Sequence, residues 1–384
     1  MSQSSTKILP PAVIGIIGAS ANAKQFAMTA IEMGYTVYTY DPSYSSPAAD
    51  ISHKHVIGSY HDINALKNFA AQCSVVTFLS PVLEGPEAAS LEMDNLLPQR
   101  GEAMNMASNH YRQQAYVREM GIPVPESVYI ENVDKLHALA DTYPYPVILK
   151  PAKPGSPKAI VIVQDQKAMK KIEIDEPYLV QTQITVENMI AVTGVASDNK
   201  ITFYPPAEVE YSQHRLKYSL MPGDINKKIV EKANDLAGRI MKSLSFTGVF
   251  TMQFFISGGD LIFHKVAPYP SLISAMTIHG ANQSHVFLHL KALCNLPFGE
   301  IKIAKQTLLI PIRQENLAQA LKFYSEHAAQ AYLTLYRNKA AGDKTQVGYL
   351  TLIADSKSAA VKLANAYWNP PAESATKKKR GSFL

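Results

Sequence analysis

The chain has 384 residues, 47% hydrophobic and 18% charged, with a formal net charge of +5. That length supports two or three domains around a substantial core, and so small a charge gives no reason to expect a nucleic-acid partner. No apolar run reaches the roughly 18 residues of a membrane span, and two cysteines, Cys73 and Cys294, are too few for a disulfide scaffold or a zinc site. Both cysteines lie in apolar segments and read as buried thiols of a reducing, cytoplasmic protein. The opening residues lack a charged region before their apolar stretch, so they read as a polar arm and not as a signal peptide. The basic run Lys377–Arg380 reads as a solvated end.

The first hundred residues alternate strand and helix. Val13–Gly18 has the composition of a buried strand; Ser20 can cap a helix running to Met33, which Gly34 stops. A strand at Thr36–Tyr40, a helix capped by Asp62 and a strand at Val75–Leu79 follow. Repetition of this unit predicts a parallel, doubly wound sheet. A second unit begins near Ser108, expected to cap a helix closed by Gly121. Next come a helix starting at Asn132, a strand at Pro146–Lys150, a Pro/Gly/Lys-rich loop and a strand at Tyr178–Gln181. Met189–Ser197 and Ile201–Tyr204 read as a strand pair joined at Asp198 and Asn199. Asp224 is expected to cap a long helix whose face carries Ile225, Ile229, Ala233, Leu236, Ile240 and Leu244. After residue 300 the chain reads as a third, smaller unit with strands near Thr307–Pro311 and Val347–Ile353. The expected division is 1–107, 108–303 (parting near 177) and 304–384.

Between Gly248 and Pro268 two apolar runs flank Gly258 and Gly259, a pair suited to the positive φ of a tight hairpin turn. Folding about that turn brings Gln253 close to His264 and Lys265.

Ile8–Gly18, Glu32–Tyr35, Asp41-Pro42, Gly121–Pro125, Val266–Pro268 and Cys294–Glu300 together resemble, in order, the carboxyaminoimidazole ribonucleotide synthases (PurK type) of the ATP-grasp superfamily. The resemblance implies an α/β ATP-grasp fold with an N-terminal Rossmann-like preATP-grasp sheet and a small α+β C-terminal domain. It also implies ATP-dependent carboxylation of 5-aminoimidazole ribonucleotide with bicarbonate, through carboxyphosphate and magnesium, in a dimeric protein.

The positions that carry that chemistry depart from the family pattern. Its glycine-rich first turn reads Ala19–Lys24 here, where Asn22 and Lys24 could hold an anion or simply open a capped helix. Its Glu-Phe-Glu-Asn segment, which contacts the imidazole nucleotide, reads Leu79–Val82. Lys150 matches the lysine that meets nucleotide phosphates, and also fits a solvated strand end. The glycine-rich flap becomes Pro151–Lys158, whose three prolines fix φ and remove donors, leaving Lys153, Ser156 and Lys158 as a static basic surface. Gln181 stands where the adenine hinge usually has an acid. Glu187 matches the carboxylate for the ribose hydroxyls, and Glu208 also matches the family. The donor run after the hairpin reads Tyr269–Ala275, with Ser271 and Ser274 as turn or cap residues. His279, His285 and His289 lie near helical spacing, but His285 and His289, on one face, have no acid nearby in sequence, and all read as surface or core residues.

The hairpin bears most directly on catalysis. Both its strands carry magnesium-holding acids in the family; here those positions are Gln253 and Lys265. Magnesium takes hard oxygen ligands, and the exchange changes local charge from −2 to +1. At 4 Å and an effective dielectric near 20 a unit-charge pair interacts by about 4 kcal/mol, and a divalent ion would feel roughly twice that as repulsion. The expected cofactor-binding residues are Lys150, Lys158, Gln181 and Glu187, for ATP, with magnesium binding placed in doubt. The sequence favours a degenerate family member that pairs with itself or with an active homologue. An active synthase with unusual site residues and a ligase with another substrate are the alternatives.

Overall fold

The structure is a computed structural model that describes residues 6–83, 85–92, 96–156, 158–197, 200–336, 342 and 345–369. The expected turn at Asp198 and Asn199 and the basic run Lys377–Arg380 lie outside the described residues. The first unit is a four-stranded parallel sheet in the order Lys54–Ile57, Thr36–Asp41, Val13–Ile17, Val75–Phe78. Its leading strand is followed by the helix Ala21–Glu32, where the Ser20 hydroxyl accepts from the Ala23 amide and Gly34 takes φ +87° just past the end. Cys73 and Cys294 are free and buried. Burial holds both thiols up, at about 12 and about 11.

A small antiparallel sheet follows, in the order Ser127–Ile130, Tyr178–Thr182, Val147–Pro151, Val161–Val163. The nine-stranded sheet runs Asp260–Ala267, Gly248–Ser257, Asn188–Ser197, Ala207–Ser212, Arg215–Met221, Gln306–Arg313, Gln346–Ala354, Ala331–Leu335, with Lys200–Phe203 also on Asn188–Ser197. Strands from beyond residue 303 thus continue the sheet that holds the hairpin. The helix Lys227–Ser243 lays Ala233, Leu236, Ala237 and Ile240 against Phe250, Phe254 and Phe263.

Two caps differ from expectation. Asn109, not Ser108, caps the helix His110–Glu119, its carboxamide oxygen accepting from the Tyr111 and Arg112 amides. Ser108 instead ends the preceding helix, Gly101–Ala107, with its hydroxyl donating to the Asn105 carbonyl. Likewise Asn226, not Asp224, caps Lys227–Ser243, accepting from the Lys228 amide. Asp224 has its own amide bonded to Glu208 Oε1 at 2.6 Å, which holds it in the loop before the helix. Glu208 also accepts from Lys357 Nζ at 2.7 Å and so ties three elements together.

The first unit is locked to the large sheet by a buried polar chain. The Gln99 carboxamide oxygen accepts from the Thr77 hydroxyl and the Phe78 amide, while its nitrogen donates to the Phe78 and Pro268 carbonyls. Thr77 also reaches His289 Nε2 at 3.0 Å, and His289 Nδ1 accepts from the Val249 amide at 2.9 Å. His285 bonds the Thr277 hydroxyl from the same helix, His285–Leu293. These two histidines are therefore core residues, with burial pushing both down to about 3. Gln99→Ala would strand the Phe78 and Pro268 groups, and thermal or denaturant unfolding should show a loss of about 2–4 kcal/mol. The neutral histidines set a pH dependence. In the unfolded chain each takes up a proton near pH 6.5 that the folded chain excludes. Stability contributed by the pair is complete above pH 6.5 and declines below it, by up to about 1.4 kcal/mol per pH unit for each histidine. Denaturant titrations between pH 7 and pH 4.5 check this, and His289→Leu should flatten the slope.

Candidate functional site

The alternation of the strand Val147–Pro151 sends Val147 and Leu149 into the core and turns Ile148 and Lys150 toward a cleft. Gln181, on the neighbouring strand, lines the same cleft, and Phe255, His264 and Lys265 face it from the hairpin. The cleft has a volume of about 970 Å³ and shares His110, Lys150, Tyr211 and Lys265 with a second, of about 1290 Å³. The larger one extends past Lys153 and Lys158 to His214, Arg215 and Arg313. Among the described residues, every charged side chain lining either cleft is basic.

The hairpin turns at Gly258 and Gly259 with φ +58° and +78°, a geometry that glycine adopts without strain. Gln253 pairs directly with Lys265, and Phe254 pairs with Phe263. His264 is therefore an extra residue, a β-bulge that lets both His264 and Lys265 face the cleft. Gln253 is buried, and its Oε1 accepts from the Tyr211 hydroxyl at 3.0 Å. Lys265 Nζ lies 4.9 Å from the centre of the Tyr211 ring, a cation–π contact. One tyrosine thus orients both residues of the pair.

Lys150 is buried, so the solvated strand-end reading is wrong for it. Desolvation, and then the charge of Lys265, bring its ammonium down to about 7. His264 and His110 are held well below the usual imidazole range, first by burial and then by the two lysines; for His264, His110 adds to this, and for His110 a bond to Gln113 opposes it. His110 Nδ1 is buried without a hydrogen-bond partner. His264 lies against Phe255, ring centres 4.5 Å apart.

Gln181 is fixed by Gln114, whose amide nitrogen donates to Gln181 Oε1 at 3.2 Å, while Gln114 Oε1 accepts from the Ser127 hydroxyl. Glu187 clasps the hairpin turn, its Oε1 accepting from the Gly258 amide at 2.7 Å. Lys158 lines only the larger cleft and pairs with Asp175 at 2.7 Å. In the same flap segment the Ser156 hydroxyl donates to Glu176 at 2.6 Å. Asn22 and Lys24 both donate to carbonyls, those of Leu79 and Tyr336. The Ser274 hydroxyl shares a buried bond with Thr193 at 2.6 Å, and Ser271 bonds Thr251.

The structure therefore brings together Lys150, Gln181, Gln253 and Lys265, places Glu187 at the hairpin turn and sets Lys158 apart with an acid. Sequence reasoning missed His110, Gln114 and Tyr211. Tyr211 carried a signal: it lies in the alternating stretch Ala207–Ser212, close to the family-matching Glu208.

The sequence pattern of the ribonucleotide synthetase preATP-grasp domain matches residues 12–106, and that of the ATP-grasp domain matches residues 115–286. The N5-carboxyaminoimidazole ribonucleotide synthase of Staphylococcus aureus strain N315 is 25% identical over 353 residues, which are 90% of this chain and 93% of that one. The fold matches an ADP complex of purK, N5-carboxyaminoimidazole ribonucleotide synthetase, with a TM-score of 0.87 at 24% identity, covering 95% of this chain and 98% of the other. It also matches N5-carboxyaminoimidazole synthetase from Staphylococcus aureus complexed with ADP, with a TM-score of 0.85 at 23% identity, over 95% and 99% of the two chains. Two domain patterns in the right order, a relative spanning nearly the whole chain and the shared fold lead to one assignment: the chain belongs to the PurK-type N5-carboxyaminoimidazole ribonucleotide synthase family of ATP-grasp proteins, as a divergent member.

Proposed function

We propose that this chain binds a nucleotide such as ATP without a divalent metal and has lost, wholly or largely, the carboxylation of 5-aminoimidazole ribonucleotide that its family performs. Nucleotide binding is supported by the ATP-grasp domain and by neighbours of the same fold that hold ADP. Lys150 and Lys265 would meet the phosphates and Gln181 the base, with Glu187, next to the cleft-lining Val186, as the group for the ribose. Lys158 would act only as a more distant basic group, since Asp175 already holds it.

The observation that carries the proposal is the pairing of Gln253 with Lys265. A magnesium site there needs hard oxygen donors. The carboxamide offers one neutral oxygen, shared with the Tyr211 hydroxyl, in place of a carboxylate, and an ammonium has no lone pair to give. The residues present do not fit the metal. Lys265 can neutralise a phosphate directly, which favours binding, but it does not polarise a transferring phosphoryl group as a bridging metal does. On this reading the chain acts through its nucleotide-bound state, as a homodimer or paired with an active homologue.

Calorimetric titration of ATP should give the same affinity, within about threefold, with magnesium and with chelator present. ATP turnover dependent on 5-aminoimidazole ribonucleotide should stay at background. Magnesium tightening ATP by about tenfold (roughly 1.4 kcal/mol), or robust turnover, would overturn the proposal. The double variant Gln253→Glu with Lys265→Glu should bind ATP only when magnesium is supplied.

Lys150 gives a second test. With its free-state value about 7, the amine is largely neutral at pH 8, and a bound phosphate favours the charged form. Binding therefore takes up a proton above pH 7, and affinity should fall as pH rises from 7 to 9, by up to about tenfold per pH unit. Titrations in buffers of different ionisation enthalpy count that proton, and Lys150→Met should abolish the Lys150 share of the uptake.

A further inference from the structure

We propose that the smaller cleft presents a hydrogen-bond donor to the base, so that the chain prefers nucleotides whose base carries a carbonyl, such as a 6-oxopurine, over adenine nucleotides. This inference rests on the nucleotide reading above and names the base that the same site takes. Gln181 lies on the strand Tyr178–Thr182, directly opposite Ser127 on one side and Ile148 on the other. Residues paired across a sheet share a face, so these three side chains stand together. Gln181 and Ile148 line the cleft, where Ile162, Met189 and Phe255 supply apolar walls suited to a flat ring.

The direction of the hydrogen bonds decides what Gln181 offers a ligand. The Ser127 hydroxyl donates to Gln114 Oε1, which turns the Gln114 nitrogen toward Gln181. That nitrogen donates to Gln181 Oε1 at 3.2 Å. Gln114 is buried and lines neither cleft, so the Gln181 oxygen that meets it is directed away from the ligand. Gln181 Nε2 has no acceptor among the described residues, and it is not closed off from the cleft. A carboxylate in this place could only accept, whereas the carboxamide held this way turns its N–H groups to the base. An adenine amino group brought to that edge sets donor against donor; a carbonyl there accepts. The discrimination should be substantial, because a mismatched base leaves polar groups unpaired in a dry site.

The test is calorimetric titration of the full chain, with chelator present, by ITP and by ATP, which share ribose and triphosphate and differ in the base alone. ITP should bind about tenfold or more tightly than ATP. Gln181→Glu should invert that order, since a carboxylate accepts from the adenine amino group. Ser127→Ala frees Gln114 to turn over and should bring the two affinities within about threefold of each other. Inorganic tripolyphosphate, which has no base, should bind Ser127→Ala as it binds the parent chain. ATP binding as tightly as ITP, or more tightly, in the parent chain would overturn this inference and leave the nucleotide reading standing. A preference for ITP that both variants leave unchanged would overturn it as well. Failure of both nucleotides to bind would sink the nucleotide reading and this inference with it. Should Gln181→Glu not fold, the comparison in the parent chain and in Ser127→Ala decides the matter.

Discussion

An ammonium at Lys265 sets the electrostatics of the whole cleft, because the backbone decides where it stands. The bulge at His264 and the glycine turn behind it fix the strand, and Glu187 clasps that turn from outside. Burial first, and the charge of Lys265 after it, lower the Lys150 ammonium and help keep His110 and His264 neutral. Burying like charges together costs far more than solvating them. The cleft answers by shedding protons where no carboxylate is at hand. Negative charge brought in from outside reverses that balance, which is why the same features that disfavour a divalent cation favour an anion.

That arrangement persists because the hairpin is braced from three directions. Gln113 Oε1 accepts from the Val266 amide, one residue beyond Lys265, and Gln99 reaches the Pro268 carbonyl just past the strand. Tyr211 holds the opposite member of the pair. The neutral His289 passes the same bracing back to Thr77 in the parallel sheet. A protonated His289 could not accept from the Val249 amide, so this bracing requires the neutral ring.

Much of this was legible in the sequence, and the limits are physical. Periodicity and turn residues marked the long helix and the hairpin, which depend on contacts close along the chain, and the alternation of strand and helix marked the parallel sheet. The pairing of Gln253 near Lys265 followed from the two glycines. The bulge did not, because one extra residue in a strand leaves no compositional trace. Both misplaced caps involve a choice between polar residues one or two positions apart, Ser108 or Asn109 and Asp224 or Asn226. In the second case a distant residue decided it, as Glu208 had already taken the Asp224 amide. Lys150 was ambiguous for the same reason: whether a strand-end lysine is wet depends on the sheet that folds over it.

The hydrogen bonding in the cleft bears on whether these substitutions are decay or redesign. A site drifting without selection would leave buried polar atoms unmet wherever a carboxylate was lost. Here Gln253 has Tyr211, Gln181 has Gln114, Lys158 has Asp175 and Ser156 has Glu176. At the two buried positions, Gln253 and Gln181, each carboxamide oxygen has a donor. Among the described residues of the cleft, the buried side-chain atom left without a partner is Nδ1 of His110, which lies beside Lys150 and Lys265. His110 is neutral and bonded to Gln113, so this unmet nitrogen carries a lone pair that a donor, not an anionic oxygen, would meet.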